Sequence, residues 1–189
     1  MDTEELERRL DGGEETPTFE VKTRMAWNCR TLARDILAMA NVRDGGIILI
    51  GVEDGTFARV GVDPATRDTY VPETMRDQMA RYADPHVQFS VSYPLDRAGV
   101  QYVAIQVAPF EETPVICRQD SGDTREGAIY YRSARRRVES AEVRSAYDMR
   151  DIITIATMRT RQRFEALGIV VDTTAQPLTD RLDEELGGL

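Results

Sequence analysis

With 189 residues, 41% of them hydrophobic and 30% charged, the chain has the composition of a soluble folded domain with enough apolar material for a real core. Its 33 Asp and Glu against 24 Lys and Arg give a formal net charge of -9, which excludes a protein that coats nucleic acid through a uniformly basic surface. No apolar run approaches the ~18 residues of a membrane span, and MDTEELERRL lacks the basic and apolar regions of a signal peptide, so a cytoplasmic location is expected.

Residues 3 to 10 predict a helix, with Leu6 and Leu10 on one face and Gly12-Gly13 as its stop. TFEVK, 18 to 22, predicts a short strand, in which Phe19 and Val21 share one face while Glu20 and Lys22 share the other. From about Asn28, a natural N-cap, to Val42 the apolar positions recur at helical spacing through Leu32, Ile36 and Met39. GGIILIGV, 45 to 52, is a β-branched run bounded by glycines, the pattern of a strand covered on both faces. Asp54-Gly55 then signals a hairpin into FARVGV.

A helix is expected from Pro72 to about Tyr82, and then three strands at 87 to 93, 100 to 107 and 114 to 118. AIYYRS forms a further strand, and Ser140 is read as the N-cap of a long helix through Val143, Tyr147, Ile152, Ile155 and Met158 toward Leu167. Because the middle strands follow one another directly, the fold class expected is α+β: a mixed sheet flanked by helices, with a C-terminal helical extension. The boundaries read as an N-terminal helix over 1–12, the main domain over 13–150, the extension over 151–170 and a polar tail over 171–189. Cys29 and Cys117 lie far apart in apolar segments and are expected as buried free thiols.

Several chemistries are excluded. A lone histidine, His86, puts His-based triads and His-rich zinc sites out of reach. The glycines around GGIILIGVEDG do not make a phosphate-binding GxxxxGK[ST] loop, and there is no GxSxG nucleophile elbow. Carboxylates, a lysine and arginines remain. Glu15, Glu20 and the acids Glu53-Asp54 could converge on one sheet edge beside Lys22; three acids so close call for a hard cation, Mg2+ or Mn2+, which would favour phosphodiester cleavage. Spacing alone favours a solvated edge pair, a loop acid and a turn aspartate. The stretch 124 to 138, with five arginines and one glutamate, offers Arg132, Arg135, Arg136 and Arg137 to phosphate, with Tyr130 or Tyr131 as a stacking ring, or else a solvated face.

EETPTFEVK, MANVRDGGIILIGVED and IYYRSA, in that order, resemble the AlbA-like domain of the Schlafen family, the similarity spanning roughly 13 to 150. The resemblance implies a nucleic-acid-binding domain, and in the family's nuclease members a divalent-metal-dependent endonuclease acting on structured RNA such as tRNA or rRNA. Carried over by position, the implied metal and catalytic acids are Glu15, Glu20 and Asp54, with Lys22 assisting. Thr16, Glu53 and the segment YYRSARRR depart from the family pattern. Since nuclease members pair two lobes into a clamp, a homodimer or a protein partner on the C-terminal helix is expected. The alternative is a noncatalytic nucleic-acid-binding or assembly module of a transcription regulator or defence system.

Overall fold

The computed structural model describes residues 1–133 and 138–169. The chain divides into two compact units, Met1–Ala156 and Thr157–Leu189. In the first unit, Asp2 caps helix α1 (Thr3–Gly12) by accepting from Glu5 N at 2.8 Å, and Gly13, in the left-handed conformation, ends it. Strand β1 (Phe19–Lys22) leads to α2 (Cys29–Ala40), which Asn28 caps as expected, and α2 crosses to β2 (Gly46–Ile50). Short helices α3 (Pro64–Arg67) and α4 (Pro72–Met79) follow, then β3 (Ala83–Asp84), β4 (Phe89–Ser92), β5 (Val103–Val107), β6 (Ile116–Cys117), β7 (Tyr130–Arg132) and β8 (Ser140–Glu142). Helix α5 spans Ala146–Ala166.

The main sheet has the order β1-β2-β5-β4; β1 and β2 run parallel, whereas β5 is antiparallel to both its neighbours. This is the mixed sheet expected. The pleat of β2 explains its unbroken apolar run: Ile48 and Ile50 pack with α2, while Ile47 and Leu49 pack with Leu6 and Leu10 of α1. In-register pairing of Glu20 with Ile48 and Lys22 with Ile50 therefore places both charged residues on the α2 side, and Phe19 and Val21 on the α1 side. Both cysteines are buried free thiols.

The C-terminal end of α2 is fastened by Asn41, which is fully buried. Its Nδ2 donates to the carbonyls of Val115 and Tyr130, both at 2.9 Å, and its Oδ1 accepts from Val115 N at 2.7 Å. Asn41→Ala leaves these buried backbone groups without partners and is expected to cost about 3 kcal/mol, read by urea unfolding.

Two expectations are corrected. Ser140 does not cap the last helix: it begins β8, paired with Arg132, and Ser145 supplies the cap, its Oγ accepting from Asp148 N at 3.3 Å. The Asp54-Gly55 hairpin is reduced to a single bridge between Val52 and Arg59. The strand expected at 114 to 118 is present as β6 and pairs with β3 in a separate two-stranded sheet.

Candidate functional site

Although β1 is an edge strand, Glu20 is only 6% exposed. The side of β1 that faces α2 is also roofed by the β7–β8 hairpin, and the alternation of β7 turns Tyr130 and Arg132 inward. Arg132 has no exposed surface. Its Nη1 bonds Glu20 Oε2 and donates to Ser140 Oγ at 3.2 Å, its Nη2 donates to the Thr16 carbonyl at 3.2 Å, and its Nε lacks a partner among the described residues. The other Glu20 oxygen, Oε1, is bonded by Lys22 Nζ, which also reaches Asp35 Oδ2 of α2 at 3.1 Å. Two carboxylates and two cations thus alternate along one chain of contacts. Burial by itself would pull the Lys22 ammonium down, but Asp35 and then Glu20 outweigh it and hold its pKa above the usual lysine value.

Glu15 approaches from the open edge. A tight turn, in which Thr16 and Phe19 exchange both backbone hydrogen bonds at 3.0 Å, folds the preceding chain back along β1. Glu15 Oε1 then accepts from Val21 N at 3.0 Å. Burial pushes the half-buried Glu15 carboxyl above its usual pKa; the Val21 amide opposes this, the Glu20 charge adds to it, Arg132 opposes it, and Asp54 adds to it. The three sequence-selected acids therefore share an electrostatic field, although Asp54 sits exposed on its turn. They do not form a ligand set: among the described residues no group of three or more His, Cys, Asp or Glu is placed to hold a metal ion, and both Glu20 oxygens already carry cations. In this arrangement the residues do not fit a Mg2+ or Mn2+ centre.

The expected phosphate grip is also redrawn. Arg132 is corrected from a surface contact to a buried tether, while Arg135, Arg136 and Arg137 lie outside the described residues. Tyr131 borders a recess of about 30 Å3 shared with Glu139, Glu142 and Asp148, in which Glu142 is paired with Arg125 and Arg144. Sequence reasoning missed Asp35. Its signal was a carboxylate set among Leu32, Ile36 and Met39 on the buried face of a helix, where an acid needs a partner.

The comparisons agree with this architecture. Among the described residues no helix is long and apolar enough to cross a membrane. The chain resembles, at 20% identity and a TM-score of 0.50, the N-terminal domain of a putative ATP-dependent DNA helicase RecG-related protein from Nitrosomonas europaea, covering 77% of this chain and 94% of that one. It is likewise similar to the DIP2311 protein from Corynebacterium diphtheriae, at 18% identity and a TM-score of 0.50, over 77% of this chain but only 27% of that one. At these identities the likeness is one of fold. No curated protein matches. The family model described as Schlafen, AlbA_2 matches residues 15–141, the span that holds Glu15, β1, the Asn41-to-β2 passage and Arg132, and the chain therefore belongs to the Schlafen AlbA_2 family.

Proposed function

We propose that the chain is a nucleic-acid-binding domain, with RNA favoured over DNA, in which Glu20, Lys22 and Arg132 hold the fold together and do not cut the bound strand. One observation carries the noncatalytic half of this reading: the central acid of the motif spends both oxygens on Lys22 and a fully buried Arg132. Family membership supports the binding half, as does the likeness to a domain from a helicase-related protein.

A second reading, metal-dependent endonucleolytic cleavage with Mg2+ or Mn2+ on Glu15, Glu20 and Asp54, is favoured by the field those acids share at Glu15. It requires Lys22 to release Glu20. The test incubates the pure protein with tRNA, rRNA and single-stranded DNA, with and without manganese. Retention on a filter that falls steeply as salt rises, with no shortening of any strand, is the expected result. Manganese-dependent shortening that disappears in Glu15→Gln and Asp54→Asn would replace it with the second reading. Glu15→Gln suits this purpose because the amide oxygen still accepts from Val21 N.

A further inference from the structure

A chain in which acids outnumber bases 33 to 24 has few places where positive charge stands uncompensated. One is a cavity of about 430 Å3 where the start of α2 meets the end of α4, walled by Trp27, Asn28, Arg30, Gln78, Arg81 and Gln119, with Cys29 and Tyr82 at its base. Its lining contains two arginines and no carboxylate. A second cavity of about 420 Å3, by contrast, is lined by His86, Glu111 and Glu112.

The two arginines are held differently. Arg30 Nε donates to Ser121 Oγ at 3.0 Å, a hydroxyl that Tyr82 also bonds at 3.0 Å, so the guanidinium is anchored through one nitrogen and its terminal nitrogens have no partner among the described residues. Arg81 is exposed and forms no ion pair among the described residues. Cys29 adds no negative charge, since burial pushes its thiol up to about 11. The indole of Trp27 is fixed in place: its Nε1 donates to Gln78 Oε1 at 2.8 Å, and it meets Tyr70 edge-on with centroids 5.9 Å apart. A locked aromatic ring beside two open guanidinium groups, with the amides of Gln78 and Gln119 at the wall, combines stacking, phosphate pairing and base-edge hydrogen bonding in a space of the size that takes a small ligand.

We propose that this cavity binds one nucleoside monophosphate unit, its phosphate between Arg30 and Arg81 and its base against Trp27. The proposal deepens the binding reading above and names where phosphate is met. A free mononucleotide and the phosphorylated end of an RNA strand present the same chemistry.

Trp27 is the sole tryptophan, so its fluorescence reports occupancy directly. The experiment titrates the full chain with AMP, with UMP, and with a short RNA oligonucleotide bearing or lacking a terminal phosphate. A saturable change in Trp27 emission is expected, with affinity weakened about tenfold in both Arg30→Gln and Arg81→Gln, as for loss of a charge-assisted hydrogen bond. Both arginines are exposed, and Arg81→Lys, which keeps the charge, should recover part of the loss. A response to AMP or UMP identifies a free nucleotide; a response confined to the phosphorylated oligonucleotide identifies a strand end. Emission that no ligand alters, or affinities untouched by both Gln variants, overturns the proposal. RNA retained on filters in that case leaves the binding reading standing, whereas mononucleotide binding without RNA retention removes that reading and keeps the cavity.

Discussion

Arg132→Met is expected to lower the unfolding free energy by about 3–5 kcal/mol, the cost of leaving a buried carboxylate without its cation. Glu20 is 6% exposed, and Lys22, the remaining cation, must also serve Asp35. Because total stabilities of small domains are about 5–15 kcal/mol, the variant should show a clearly lower urea midpoint. Replacing both partners, Glu20→Leu with Arg132→Met, should cost less than Arg132→Met alone, since no unpaired charge then stays inside. A single-variant loss under about 1 kcal/mol, the level of an exposed pair, would show that water reaches Glu20 and that the network does not carry the fold.

Gly45→Ala should be comparably damaging for a steric reason. Gly45 has φ 68°, and a Cβ there would lie 2.2 Å from the Val107 carbonyl oxygen and 2.9 Å from Pro109 Cδ. Left-handed strain and backbone displacement together give an expected loss of about 3 kcal/mol or more. The next residue is just as confined: a Cβ on Gly46 would meet Met39 Sδ at 2.1 Å and Thr18 O at 2.9 Å. The paired glycines thus let the chain leave α2 and enter β2 pressed against its neighbours. An Ala variant with an unchanged thermal midpoint would mean that β5 shifts aside freely.

Local patterns disclosed most of the elements. Alternation in FEVK, helical spacing from Asn28 and the glycine-bounded apolar run became β1, α2 and β2, and the direct succession of later strands gave the mixed sheet. What alternation could not reveal is what covers a face. Glu20 and Lys22 do share a side of an edge strand, but the roof over them arrives from a residue 112 positions away. Composition groups Arg132 with the arginines after it because composition ignores strand phase. Read with Tyr130 as an inward pair, it would have been separated from them. Ser140 misled because a serine ahead of a helical pattern is a good cap, and only pairing with Arg132 claims it for a strand.

The backbone donors along the outer margin of β1 are already spoken for: the amide of Phe19 goes to Thr16, and that of Val21 to Glu15. An extended peptide seeking to lengthen the sheet from this side would find its donors occupied. Glu15 therefore serves as a stopper against strand addition, and any duty that drew its carboxylate elsewhere would unseal that margin to self-association.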